Sequence, residues 1–178
     1  MKLKMLTSMI FAALLLVACN GESEKEEITI EKIEAENIKE MVHDYSVRNT
    51  IAKSASITSE QLIVVENEEK KLVYDLPEDE FFVSIAPYIN ETHPCDNHSL
   101  TGCQGELVNE QFDVYIEDTE GKVIVDEILE SQGNGFIDLW LPRDETYKIK
   151  IEHEGKVVES EFSTFENNGT CITTMQLT

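Results

Sequence analysis

The sequence predicts a mainly β protein, an antiparallel β-sandwich of about seven strands preceded by an amphipathic helix and a hairpin. Two observations carry this expectation. After residue 60, short apolar stretches recur, most alternating with period two and bounded by Gly, Pro, Asn and Asp. Before them, apolar residues fall at helical spacing in one place, between about Glu31 and Arg48.

In that helix Ile38, Met41, Val42 and Tyr45 stand at i, i+3, i+4 and i+7, which makes one apolar stripe. Lys32 and Glu36, four apart, support the wet face slightly. His43 lies beside the stripe and reads as a surface or partner-bonded histidine. Leu62 to Val65 and Leu72 to Leu76 then flank the turn Asn67-Glu68-Glu69-Lys70, a hairpin that Pro77 ends. Phe81, Val83 and Ile85 alternate in the next strand, and Phe112, Val114 and Ile116 in the one after. Val123 to Leu129 follows the turn Asp118-Thr119-Glu120-Gly121. Phe136 to Leu141 follows Gly133-Asn134-Gly135 and stops at Pro142. Tyr147, Ile149 and Ile151 alternate with Lys148, Lys150 and Glu152, and the turn His153-Glu154-Gly155-Lys156 leads into Val157 to Phe165. His153, placed in that turn, is expected to face solvent. The final strand runs from Cys171 to Leu177, with Cys171, Thr173, Met175 and Leu177 on one face, so the Cys171 sulfur should point toward the core or its rim. This divides the chain into a helix-and-hairpin portion over 31–77 and a sandwich over 78–178. No internal repeat and no phosphate-binding glycine loop is visible. Three Asn-x-Ser/Thr triplets, at Asn90, Asn97 and Asn168, read as turn residues.

The first 19 residues are organised for export. Lys2 and Lys4 precede an apolar stretch from Met5 to Ala18, broken by Thr7 and Ser8. That stretch has signal-peptide length and is short of the roughly 20 residues a spanning helix needs. It ends in Leu16-Val17-Ala18-Cys19, which looks like a lipobox, so Cys19 is the expected lipidation site. Stable anchoring takes two acyl chains, and a diacylglyceryl cysteine supplies two. Residues 20–30 then form an acidic tether, its start (NGESEKEE) too polar to repay the entropy of ordering.

Charge narrows the partners. The chain carries 14 Lys and Arg against 36 Asp and Glu, a formal charge of −22, and loss of Lys2 and Lys4 takes it to −24. Nucleic acid is excluded as a partner, because binding it needs a basic surface. Attraction to anionic lipid is excluded on the same ground, so only the lipid should hold the protein to its membrane. The acidity itself reads as solubility and self-repulsion.

Chemistry concentrates in residues 93–103, His-Pro-Cys-Asp-Asn-His-Ser-Leu-Thr-Gly-Cys, expected as a loop at one end of the sandwich. With Cys19 lipidated, Cys95, Cys103 and Cys171 remain, an odd number that cannot all pair within one chain. A structural reading is one disulfide plus one inert thiol. Chain entropy gives about 2.6 kcal/mol for closing Cys95–Cys103 and about 4.4 kcal/mol for Cys103–Cys171. The longer loop is favoured without the pairing being fixed. The alternative is a metal site under redox control. Thiolates select Cu(I) or Zn(II), and imidazole serves either. The Cys95-Asp96-Asn97-His98 spacing lets both side chains reach one ion, and His93 could join them. Zinc would ask for four closed ligands, whereas Cu(I) is content with two or three sulfur and nitrogen donors. A disulfide would withdraw two thiolates, so redox state would gate affinity. No CxxC pair supports a thioredoxin-type activity.

Phe81-Phe82-Val83-Ser84-Ile85-Ala86-Pro87-Tyr88, Thr92-His93, Cys95, His98-Ser99-Leu100, Cys103 and Gly105-Glu106-Leu107 closely resemble the CueP family of bacterial copper-binding proteins. Gly135-Phe136, Leu139-Trp140-Leu141-Pro142-Arg143 and the ending from Cys171 to Thr178 match it as well, so the likeness covers roughly residues 60 to 178. The resemblance implies a cell-envelope protein that binds copper under copper stress through Cys95, Cys103 and Cys171, with His93 and His98 as auxiliary ligands. It also implies reduction of Cu(II) to Cu(I) and upkeep by envelope thiol-disulfide exchange proteins. The lipobox and acidic tether depart from family members that are soluble in the periplasm. The expectation is therefore a lipid-anchored extracytoplasmic protein that buffers or chaperones Cu(I). Two of its cysteines, Cys103 and Cys171 among the candidates, would interconvert with a disulfide. Zinc is a competitor, and the N-terminal portion is a candidate homodimer surface. Two other classes stay open: an adhesive or scaffold lipoprotein with structural cysteines, and a thiol-based Cu(II) reductase.

Overall fold

The computed structural model describes residues 27–31 and 35–178. The signal segment, Cys19, most of the acidic stretch and Lys32 lie outside those residues. The elements run β1 (Glu27–Glu31), α1 (Ala35–Ser46), β2 (Ser54–Ile57), β3 (Gln61–Val65), β4 (Lys70–Asp75), β5 (Glu80–Ile85), β6 (His98–Ser99), β7 (Gln111–Asp118), β8 (Val123–Glu130), β9 (Ile137–Pro142), β10 (Thr146–His153), β11 (Lys156–Ser163) and β12 (Cys171–Ile172). Among them no helix is long and apolar enough to cross a membrane.

The fold is a mainly β sandwich, as expected. A four-stranded antiparallel sheet, β11-β10-β7-β8, packs on a three-stranded sheet, β12-β5-β9. Phe112, Val114 and Ile116 of β7 and Tyr147, Ile149 and Ile151 of β10 meet Phe81, Val83 and Ile85 of β5, all at most 2% exposed. In β7 and β10 period two does this: the residues between them face outward while the alternating apolar set is removed from water. The edge strand β12 departs from the antiparallel rule, running parallel to β5.

The other face of β5 is also covered, which alternation alone does not disclose. Phe82 packs edge-on against Trp140 of β9 at 5.2 Å, beneath α1 and a five-stranded sheet ordered β1-β4-β3-β2-β6. Glu-Phe-Phe-Val-Ser-Ile is therefore buried on both sides, which explains its near-continuous apolar run. Ile38, Val42 and Tyr45 of α1 face this second core, and His43 is exposed.

Several boundaries differ from the sequence expectation. The helix starts at Ala35, since Glu27–Glu31 is a strand parallel to β4 in the stretch assigned to tether. It ends at Ser46 because Arg48 turns left-handed (φ 62°), with the Asn49 N–H bonded to the Asp44 carbonyl and the Arg48 N–H to Tyr45. The last strand keeps regular pairing only over Cys171–Ile172, although Cys171, Thr173, Met175 and Leu177 are all buried as their spacing requires. His153 is not solvent-exposed. It closes β10, with Glu154 and Gly155 at positive φ making the turn. Its ring stacks on Phe112 at 4.9 Å, and Nδ1 lies 2.9 Å from the Gln111 carbonyl.

Candidate metal centre

The segment read as a loop is partly threaded into a sheet. After β5 the chain passes Pro87 and Pro94, and His98–Ser99 then joins β2 as an edge strand, Ile57 opposite His98. A tight turn follows, with the Gly102 and Cys103 N–H groups both donating to the Ser99 carbonyl, at 3.2 and 2.9 Å. That turn brings the Cys103 sulfur back over His98. Cys171 arrives from the far end of the chain on β12, its N–H bonded to the Asp96 carbonyl at 2.9 Å.

These placements converge. One ligand atom from each of Cys95, His98, Cys103 and Cys171 lies within 4.8 Å of every other. The Cys95 and Cys103 sulfurs are 3.5 Å apart, and the Cys171 sulfur is 3.5 Å from His98 Nδ1. All three cysteines are free thiols. His98 is 0% exposed and Cys171 7%, while Cys95 and Cys103 are half-buried. The cluster thus opens to solvent on the Cys95–Cys103 side.

Phe136 is the floor of the site. His98 lies against it at 4.4 Å and His93 edge-on at 6.3 Å. His93 stands beside the donor cluster and is not one of its four members. The Nε2 atoms of both histidines are buried without a hydrogen-bond partner.

Two glycine contacts allow this geometry. Gly105 and Gly135 meet back to back, with the Gly105 N–H donating to the Asn134 carbonyl at 2.7 Å. A Cβ on Gly105 would stand 2.4 Å from the Gly135 carbonyl oxygen, so no larger residue fits. Gly169 likewise gives the Asp96 backbone room, since its Cβ would lie 2.6 Å from the Asp96 carbonyl oxygen. Glu106 clasps the base of the loop, accepting N–H bonds from Ile89, Asn90 and Glu91. Burial pushes its carboxyl up, but the hydrogen bonds from Asn90, Ile89 and Glu91 outweigh this and hold it at about 2.

The thiols are electrostatically unequal. Hydrogen bonding from Cys171 holds the Cys103 thiol far below its ordinary range against the opposing effect of burial, with His98 and His93 helping. In return Cys171 is pushed far up, first as the donor to Cys103 and then by burial. Burial pushes Cys95 up. Cys103 is therefore the member of the trio that ionises most readily, and the other two hold more tightly the protons that a metal would displace. Three sulfurs and one imidazole nitrogen make a soft donor set, suited to Cu(I) and also, as Cys₃His, to Zn(II).

Sequence reasoning reached the three cysteines and His98, which the fold brings together. It missed what holds them. In the sequence Phe136 is only the start of a strand, and Thr170, a buried residue bonded to His98, carries no signal at all.

Comparison with known proteins covers the stretch of chain that holds these residues. The family described as "Periplasmic copper-binding protein CueP" matches residues 36–176. A crystal structure of S.CueP is similar at 37% identity with a TM-score of 0.74, covering 79% of this chain and 88% of that one. A comparison with curated proteins returns no match.

Proposed function

From the premise that the chain belongs to the CueP family of periplasmic copper-binding proteins, we propose that it buffers or chaperones Cu(I) outside the cytoplasmic membrane. Cys95, Cys103 and Cys171 supply the thiolates and His98 a fourth donor, with His93 adjacent. The observation that carries this is the convergence of four soft donors within 4.8 Å of one another, two of them buried. A buried thiol beside a buried imidazole with an unpartnered nitrogen is costly to assemble unless the pair serves something. The thiol/disulfide state sets affinity, because joining any two sulfurs removes two of the four donors. Envelope thiol-disulfide exchange proteins are the partners this requires, and zinc is the competing ion. Anchoring through lipid on Cys19 keeps the protein at its membrane, and the N-terminal helix-and-hairpin portion is the candidate dimer surface.

The test is an anaerobic Cu(I) titration against a competing chelator, with fully reduced and oxidised protein side by side. One tightly bound Cu(I) per reduced chain, and weaker binding after oxidation, is expected. Equal binding by both forms would remove the thiol control. Binding no tighter than to an unfolded cysteine peptide would remove the copper reading. Intact-mass measurement of membrane-extracted protein tests the anchor, with a diacylglyceryl increment at Cys19 expected and an unmodified cysteine contradicting it.

The contact between Cys95 and Cys103 favours a second reading, Cu(II) reduction. Two thiols would give two electrons to two Cu(II) ions, yielding one disulfide, two Cu(I) and two protons. Repeated turnover with a thiol donor present distinguishes this from buffering.

A further inference from the structure

Resting on that reading of the site, we infer that Thr170 is the positioning residue for its buried half, His98 and Cys171. Thr170 is 0% exposed. Its hydroxyl donates to the Ile57 carbonyl at 2.7 Å and accepts the His98 backbone N–H at 2.9 Å. Its own carbonyl accepts the Ser84 N–H at 2.8 Å. The hydroxyl has one proton, and neither an N–H nor a carbonyl can exchange roles with it, so both bonds have a fixed direction. Ile57 and His98 are partners in the β2–β6 register, and Cys171 is the next residue along β12. One side chain thus joins β2, β6 and β12 where two proposed ligands begin.

The His98 ring explains why such a tie is needed. A metal-binding histidine is normally oriented by a hydrogen bond on its other ring nitrogen. Here Nδ1 faces Cys171 and Nε2 has no partner. Ring placement therefore falls to contact with Phe136 and to the backbone anchor that Thr170 provides. Cys171 shares this anchor, because its N–H bond to Asp96 and the Ser84–Thr170 bond bracket it.

Thr170→Val keeps the branched shape and removes the hydroxyl, whereas Thr170→Ser keeps the hydroxyl. Cu(I) affinity of Thr170→Val is expected to fall about 10- to 100-fold, the range for outer-shell partners, with Thr170→Ser close to the starting protein. In a His98→Ala background Thr170→Val should cause a much smaller loss. Wild-type-like affinity in Thr170→Val overturns the inference. So does an undiminished loss without His98, because the effect would then not pass through His98. If Thr170→Val does not fold, amide exchange of His98 in the unsubstituted, metal-free protein decides. Core-like protection supports the tie, and loop-like exchange overturns it. Failure of the unsubstituted protein to bind Cu(I) sinks the copper reading instead, and the exchange measurement still reads the anchor.

Discussion

The two halves of the donor cluster have the same spacing and opposite settings. Cys95 and Cys103 face each other at 3.5 Å, as do His98 Nδ1 and Cys171. The first pair comes from one short loop, eight positions apart, and is half-exposed. The second joins residues 73 apart and is buried against Phe136. A local pair can open and close without disturbing the core. A pair assembled by β6 and β12 is fixed as long as the sandwich is folded. The proposed site therefore has a solvent-side half fit for exchange and a rigid half fit for retention.

Proton displacement should show this division most strongly. Cys95 and Cys171 are pushed up and Cys103 down. Below the raised values, binding must expel protons from Cys95 and Cys171 while Cys103 is already ionised. Affinity should therefore rise with pH, by about tenfold per unit for each proton released, hence about a hundredfold. A pH series of Cu(I) titrations, corrected for the chelator, checks this. A flat profile would mean that binding releases no thiol protons, contradicting this division.

The histidines sharpen the contrast. His98→Ala should weaken Cu(I) binding by at least about 10-fold, because it removes a buried donor outright where an outer-shell change only disorients one. His93→Ala, lying outside the four-donor group, should do markedly less. Reversal of that order would move the retaining half to the loop. Alkylation of the metal-free protein should modify Cys95 and Cys103 before Cys171, which is 7% exposed. Peptide mapping reads the order directly, and early modification of Cys171 would show the inner half to be open.

Effects on the fold should be smaller. Phe136→Leu removes ring volume beneath both histidines and should cost about 1 to 3 kcal/mol in thermal or denaturant unfolding. Glu106→Gln should loosen the loop with little effect on the sandwich. The carboxyl of Glu106 is held low, so its stabilisation is complete above the ordinary carboxylate range and is lost as pH falls toward 2. An NMR titration of Glu106 showing an ordinary value would remove that clasp.

Legibility in the sequence followed the same split. β7 and β10 were plain because one face is buried and the other wet, so polarity alternates along them. β5 shows in the sequence through Phe81, Val83 and Ile85, but its second buried face exists only through the contact of Phe82 with Trp140. β2 is Ser-Ala-Ser-Ile, too short and polar to stand out, and β6 is two residues inside a loop. Both exist because tertiary pairing supplies what local propensity lacks. The cysteines were legible by type and shared context. Their convergence was an inference from Cys171 sitting at the core's rim. Phe136 and Thr170 resemble any buried aromatic or threonine, so only the fold marks them out.

Two sulfurs from one loop and a third from the far end of the chain are proposed to share one ion. This sharing is tested most directly by titrating anaerobically reduced Cys95→Ser, Cys103→Ser and Cys171→Ser with Cu(I) against a chelator, beside the unsubstituted protein. One-to-one binding that weakens in all three variants is the expected result. Affinity unchanged in all three would contradict a shared thiolate site and leave the cysteines a purely structural role.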